Sequence, residues 1–165
     1  MNATLLCPGP SLVAYPGCDG FKVGVNRAVS LHDCDVWAAT DRPLIDSVQP
    51  IGTPVLLTIE ATRESLARRG RPWPYLVITH KGIGGKDNAR TPWIRFTATA
   101  GLFFLAWMGA KHVDVWGCDW NGTEDWDGKQ AGANRAEQRW NDEREIWNKV
   151  IEQTGIEVTR HGLDG

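Results

Sequence analysis

Short apolar runs recur along the chain, and each ends at a glycine, a proline or a polar side chain. Runs of about four to eight residues with this punctuation are typical of β-strands. The pattern predicts strands over residues 4–7, 21–26, 35–41, 54–59, 75–80, 112–119 and 156–158.

Longer segments with apolar positions at helical spacing lie between these strands, and they predict helices over residues 59–69, 97–109 and 135–154. The second is apolar on every side and is expected to be buried, whereas the third is amphipathic and ends at Gly155. Residues 13–20 are expected to be irregular or a short helix. Because strands and helices alternate, we expect one nucleotide-binding α/β domain over residues 1–165. Its core would be a doubly wound, Rossmann-like and mostly parallel sheet flanked by helices.

The loop after the first strand is Gly9-Pro10-Ser11. Gly9 permits close approach of the backbone to a ligand, and Pro10 fixes the turn. The N–H groups beyond them and the Ser11 hydroxyl would then face an anion such as a phosphate. The alternative is an ordinary turn after a buried strand.

Other predicted strands also end on polar residues, namely Asn26-Arg27, Thr40-Asp41 and Gly117-Cys118-Asp119. Parallel strand ends meet at one edge of a doubly wound sheet, where ligands bind. An asparagine amide suits a nucleobase or a ribose, and Arg27 suits a phosphate. We therefore expect a nucleotide pocket at this edge, although each residue alone is also typical of turns and caps.

Composition limits the partners. The chain has 165 residues and a net charge of -2, which argues against nucleic acid as a partner. No apolar run reaches the roughly 18 residues that span a bilayer, and the N-terminus lacks the basic residues of a signal peptide. The four cysteines form no close pair. We therefore expect a cytoplasmic protein with free thiols and no membrane span.

Nine tryptophans is a high number for this length. Four of them leave two interpretations open, a groove for an acceptor or the subunit interface of a homo-oligomer: Trp73, Trp93, Trp120 and Trp126. Residues 81–95 are glycine-rich and basic, but they lack the spacing of a phosphate-binding P-loop. That segment is expected to be a mobile surface loop.

The candidates for chemistry are carboxylates and arginines. Asp41, Asp119 and Asp125 are candidate general bases for an acceptor hydroxyl. Arg135 and Arg139 lie one helical turn apart, so both side chains could contact one phosphate. The alternative for the two arginines is a solvated helix face paired with glutamates.

An ordered set of short motifs resembles those of the bacterial sialyltransferases of glycosyltransferase family 42. Their wider relatives include flagellin-modification-type glycosyltransferases and archaeal 6-hydroxymethylpterin diphosphokinases. The motifs that carry the resemblance are Cys7-Pro8-Gly9-Pro10-Ser11-Leu12, Val25-Asn26-Arg27, Asp41, Thr99-Ala100-Gly101 and Val115-Trp116-Gly117-Cys118-Asp119-Trp120. Their order and approximate spacing agree over most of the chain.

The resemblance implies a glycosyltransferase that binds a nucleotide sugar of the CMP-sugar type and a glycan or other hydroxyl acceptor. Gly9, Pro10 and Ser11 would approach the phosphate or ribose. Asn26 and Asp41 would contact the nucleotide. The backbone of Ala100-Gly101 would lie under it. No metal or other cofactor is expected for this activity.

The sequence also departs from that family. Pro8 and Ala100 replace an asparagine and a serine of the family pattern, and no histidine lies between His112 and His161, where those enzymes have a general base. Two alternatives therefore stay open, a non-catalytic nucleotide or nucleotide-sugar binding protein and a pyrophosphoryl or nucleotidyl transferase. The latter would require Mg²⁺, held by carboxylates between residues 119 and 127.

Overall fold

The computed structural model describes residues 1–68, 73–79, 82–83, 96–121, 124–129 and 137–162. Its centre is one sheet with the strand order β6-β5-β4-β3-β2-β1-β7-β8. The strands are β1 Asn2–Leu6, β2 Phe21–Val25, β3 Val36–Ala38, β4 Val55–Ile59, β5 Tyr75–Thr79, β6 Gly82–Ile83, β7 His112–Trp116 and β8 Glu157–Arg160. Seven strands are parallel, and only the two-residue β6 is antiparallel to its neighbour. The predicted α/β, Rossmann-like fold is confirmed.

The helices are α1 Arg42–Ser47, α2 Glu60–Arg68, α3 Thr97–Trp107 and α4 Glu137–Thr154. The last three were predicted. α3 ends two residues earlier than predicted, and residues 69, 135 and 136 of the predicted helices lie outside the described residues. Helix α1 was not predicted, because its six residues are too few for an apolar period to show. Two 3₁₀ segments, Pro10–Ala14 and Asn26–Ser30, follow β1 and β2 directly. Residues 81 and 84–95 of the predicted surface loop lie outside the described residues, and residues 82–83 form β6 instead.

The composition of α3 follows from its position between the sheet and α4. Eight of its eleven residues are buried, so no polar face is needed. Gly101 lets the helix approach the sheet closely, since a Cβ there would lie 2.9 Å from the Leu5 side chain and 3.4 Å from that of Val23. Helix α4 covers α3 with an apolar stripe that includes Ile146, Trp147 and Val150.

A smaller apolar cluster covers the opposite face of the sheet, under the two 3₁₀ segments and α1. Trp37 on β3 is fully buried there, and its indole N–H donates to the carbonyl of Asn26 at 3.0 Å. This bond holds the chain where it leaves β2.

The connections place a switch point between β1 and β7. From β1 the chain continues to β2 on one side, whereas from β7 it continues through α4 to β8 on the other. A crevice opens where neighbouring strands lead away in opposite directions, and ligands of α/β sheets bind there. No helix in the described part of the chain is long and apolar enough to cross a membrane.

Candidate functional site

A cavity that opens to solvent lies at this switch point, with an empty volume of about 520 Å³ that includes open solvent. It is bordered by the ends of β1, β2 and β7, the start of α3 and the first turns of α4. The lining residues are Cys7, Pro8, Gly9, Val25, Asn26, Thr97, Ala98, Gly117, Cys118, Asp119, Trp120, Asn121, Glu124, Arg139, Trp140 and Glu143. Its place agrees with the predicted pocket at the strand ends.

Two glycines bring the loops after β1 and β7 into contact. The N–H of Gly9 donates to the carbonyl of Gly117 at 2.9 Å. A Cβ on Gly9 would lie 2.5 Å from a carboxylate oxygen of Asp119, and one on Gly117 would collide with the Cys7 carbonyl. Gly117 also has a φ of 75°, which favours glycine. The close approach at Gly9 is therefore to the protein itself.

The carboxylate of Asp119 fills the position where an anion was predicted beside Ser11. It accepts the Ser11 N–H at 2.9 Å and the Ser11 hydroxyl in a second, short bond. Ser11 and Pro10 do not line the cavity. These donors thus hold an internal anion that joins the two loops.

Both non-glycine residues with positive φ in the described part of the chain line the cavity. They are Asn26 and Trp120, with φ values of 51° and 53°. A left-handed backbone costs most residues about 1–2 kcal/mol, less for asparagine. Such strain persists where the surroundings impose it, and it is concentrated at binding sites.

The N-terminus of α3 also faces the cavity. Thr97 and Ala98 line it, and the Thr97 hydroxyl contacts that of Thr40 at 3.1 Å, at the end of β3. The first N–H groups of a helix have no partner within it and favour an anion. Ala100 and Gly101, predicted to lie under the nucleotide, are further along the helix and pack in the core instead.

Helix α4 supplies the remaining wall through Arg139, Trp140 and Glu143. Arg139 lies over the rings of Phe96 and Trp140, with distances of 5.4 and 5.1 Å to their centroids. Its guanidinium is 3.5 Å from the carboxylate of Glu143, which is almost fully buried. The other predicted phosphate ligand, Arg135, lies outside the described residues.

Arg27 and Asp125 do not line the cavity, and they bind each other instead. Arg27 donates to Asp125 at 2.9 Å and to Asp127, and its guanidinium lies 5.8 Å from the ring centroid of Trp126. The hydrogen bond to Asp127 raises the pKa of Arg27 and lowers that of the carboxyl. The backbone N–H of Trp126 donates to the Pro8 carbonyl at 2.8 Å. This clamp holds residues 124–129 beside the cavity, with Glu124 in its wall.

Asp41, the third predicted base, is exposed at the start of α1 and does not line the cavity. The structure therefore brings four of the predicted residues together: Gly9, Asn26, Asp119 and Arg139. Sequence reasoning missed Thr97, Trp140 and Glu143, and it left Trp120 between an acceptor groove and a subunit interface. For Glu143 a signal existed, because this carboxylate interrupts the apolar stripe of α4 one turn from Trp140 and Trp147.

Two thiols, Cys7 and Cys118, lie side by side in the cavity wall. Burial, then the contact with Cys7, raises the pKa of Cys118 well above its usual range. Cys118 is therefore a neutral thiol at pH 7. The described residues contain no cluster of three or more histidine, cysteine or acidic side chains arranged to hold a metal ion.

Comparisons with protein-family models, with curated proteins and with solved structures found no match. The resemblance to the sialyltransferases therefore stays a prediction from the motifs alone.

Proposed function

We propose that the cavity binds a nucleotide sugar, with a CMP-sugar type favoured, and that the protein transfers its glycosyl group to a hydroxyl acceptor. The observation that carries the proposal is the set of groups converging at the switch point. The amide of Asn26, the N-terminus of α3 and Arg139 border one concave space at the strand ends.

The nucleoside end is assigned to Asn26. A side-chain amide offers both a donor and an acceptor, which suits the edge of a base or the hydroxyls of a ribose. The left-handed backbone at this residue aims the side chain from the end of β2 into the cavity, and the bond from Trp37 holds that backbone. The amide is therefore positioned before the ligand arrives.

The phosphate end is assigned to the start of α3 and to Arg139. The N–H groups near Thr97 and Ala98 carry partial positive charge, and Arg139 adds a full one. Arg139 stacks on Phe96, the residue immediately before α3, so both anion-binding features meet at the same wall. A leaving phosphate would be stabilised there.

The acceptor hydroxyl is assigned to Asp119, the predicted base that lines the cavity. Each of its two carboxylate oxygens accepts one bond from Ser11 and keeps a second lone pair. The bonds fix the orientation of the carboxylate towards a hydroxyl. Asp119 would then orient the acceptor and accept its proton.

The charge of the lining favours a second candidate, a Mg²⁺-dependent pyrophosphoryl or nucleotidyl transferase. The described lining has three carboxylates, Asp119, Glu124 and Glu143, and one arginine, Arg139. A polyphosphate would be repelled by this excess unless a divalent cation neutralised it. A nucleoside monophosphate sugar carries less negative charge, so its binding requires less neutralisation of phosphate charge.

Calorimetric titration with CMP, CDP, UMP, UDP, GDP and ATP, each with and without Mg²⁺, tests both candidates. Saturable metal-independent binding of CMP that is lost in Asn26→Gly supports the first, and release of CMP from a CMP-sugar in the presence of acceptor would establish transfer. Binding of ATP only with Mg²⁺ supports the second. Tight CMP-sugar binding without turnover identifies a binding protein, and no binding to any nucleotide rejects the site.

A further inference from the structure

Two arginines on different elements lie against the same indole ring. The guanidinium carbon of Arg160, at the end of β8, is 3.5 Å from the ring centroid of Trp120. That of Arg144, on α4, is 5.4 Å from it. The two guanidinium groups are therefore no farther apart than the sum of these distances. Like charges at such a separation repel each other unless an anion lies between them.

The hydrogen bonds of both arginines go to neutral oxygens. Arg160 donates to the Cys118 carbonyl at 2.5 Å, and Arg144 donates to the Trp120 carbonyl at 3.4 Å and to the Asn141 amide oxygen at 3.3 Å. Neither arginine takes part in an ion pair within the part of the chain that the structure describes. The charge of Asp119 raises the pKa of Arg160, but the hydrogen bonds that this carboxylate accepts come from Ser11.

Arg160 also retains an unused donor. Its Nε is buried and has no hydrogen-bond partner among the described residues. Burial lowers the pKa of Arg160, and the charge of Arg144 lowers it further. A guanidinium nevertheless stays protonated at any physiological pH, so the protein holds a partly buried cation and an unused N–H beside a second cation. Arg144 is exposed, which leaves the pair accessible from solution.

We infer that Arg144 and Arg160, both in contact with the Trp120 ring, form a phosphoryl-binding site next to the cavity. The flat fork of N–H donors on each guanidinium matches the oxygens of a phosphate, and one phosphoryl group can accept from both. Trp120 also lines the cavity, so the phosphoryl group belongs either to the cavity ligand or to a separate phosphorylated molecule. The site is independent of the function proposed above, which places its phosphate at Arg139.

The test uses inorganic pyrophosphate and inorganic phosphate as probes and follows the arginine Nε–H signals by NMR. The wild-type protein should show a saturable shift of the Arg160 and Arg144 signals. Arg144→Gln, at an exposed position, and Arg160→Gln should each weaken the affinity roughly tenfold or more. Lys149→Gln, which removes an exposed cation from the same helix, is the matched control and should leave that affinity unchanged. A thermal unfolding curve identifies any variant that fails to fold, and Arg144→Gln alone then decides.

Two outcomes would overturn the inference. One is the absence of saturation below about 10 mM of either probe. The other is a loss in Lys149→Gln that equals the loss in Arg144→Gln, which would show that the probe responds to the positive charge of the helix and not to this pair. A nucleoside diphosphate that displaces pyrophosphate from the pair indicates that the cavity ligand supplies the phosphoryl group. Simultaneous binding of both indicates a separate phosphorylated molecule, and both results support the site.

Discussion

Ser11 gives both its backbone N–H and its hydroxyl to the carboxylate of Asp119, which lies 108 positions later in the chain. Ser11 follows β1 and Asp119 follows β7, so these two bonds join the two loops at the switch point. Hydrogen bonds to an ionised group are the stronger kind, at about 1.5–3 kcal/mol each. The loop that the sequence suggested for a ligand phosphate is used to hold a carboxylate of the protein.

Asp119→Asn should lower the free energy of unfolding by about 1–3 kcal/mol, because the amide removes the charge and an oxygen acceptor from Ser11. Chemical denaturation measures the change. Asp19→Asn, the same substitution at an exposed position, should change it by less than about 0.5 kcal/mol. Adding Ser11→Ala to Asp119→Asn should cost little more, since the contact is already lost. Additive losses would show that the two side chains act independently.

Asn26 allows backbone strain to be separated from binding. Asn26→Ala should lower the free energy of unfolding by about 1 kcal/mol, because alanine disfavours the left-handed backbone at this position. Asn26→Gly adopts that φ freely and should leave stability nearly unchanged. Both variants lose the amide, so both should bind the cavity ligand at least roughly tenfold more weakly. If Asn26→Gly bound the ligand with full affinity, the Asn26 amide would not be part of the site.

The clamp of Arg27 on Asp125 and Asp127 should be important for stability. Arg27→Met removes the cation from a carboxylate that is 2% exposed, and we expect a loss of about 2–4 kcal/mol in urea denaturation. The backbone N–H of Trp126 should also exchange faster with solvent, since residues 124–129 would detach from Pro8. Arg63→Met breaks the exposed pair with Glu60 and should cost less than about 1 kcal/mol. Equal losses in the two variants would contradict this account.

The strand ends were predictable because alternation, glycine and proline show where a buried strand stops. That placed Gly9, Asn26 and Asp119 at one edge of the sheet. The destinations of the side chains were not predictable. Arg27 follows the same strand as Asn26, but its partner Asp125 comes from a loop 98 positions away. No local pattern reports such a pairing.

Helix α3 shows the same limit at smaller scale. Its existence and its burial follow from an unbroken apolar run, but which of its first residues faces the cavity depends on how the helix docks on the sheet. Thr97 and Ala98 line the cavity, whereas Ala100 and Gly101, where the contact was expected, do not. A difference of three positions is nearly one helical turn, so it decides whether a residue of this helix lines the cavity or packs only in the core.

The two glycines predicted to contact a ligand should respond differently to alanine. Gly9→Ala places a Cβ 2.5 Å from the Asp119 carboxylate and closer still to the Gly117 carbonyl, and we expect a loss of about 1–3 kcal/mol. Gly101→Ala meets the end of the Leu5 side chain and gains helix propensity, so the net change should be within about 1 kcal/mol. Ligand affinity should survive in Gly101→Ala. A loss of ligand affinity in Gly101→Ala would indicate that the nucleotide contacts the middle of α3, as the sequence predicted.

A pH dependence is expected on the far side of β7, where His161 stacks on Trp116 and its Nε2 lies 2.6 Å from the carboxylate of Asp114. The hydrogen bond from His161, and then that from His112, lowers the pKa of Asp114 in the folded state. A carboxyl whose folded pKa is depressed contributes stability above its unfolded pKa, near 3.9, and loses it as the pH falls through the lower folded value. Wild-type protein should therefore be more stable than Asp114→Asn above about pH 5, and the difference should close below about pH 4. His161→Phe keeps the stacked ring but removes the donor, so in that background Asp114→Asn should change the stability little. A stability difference between wild type and Asp114→Asn that persists unchanged at acid pH would show that this pair does not hold β8 to β7.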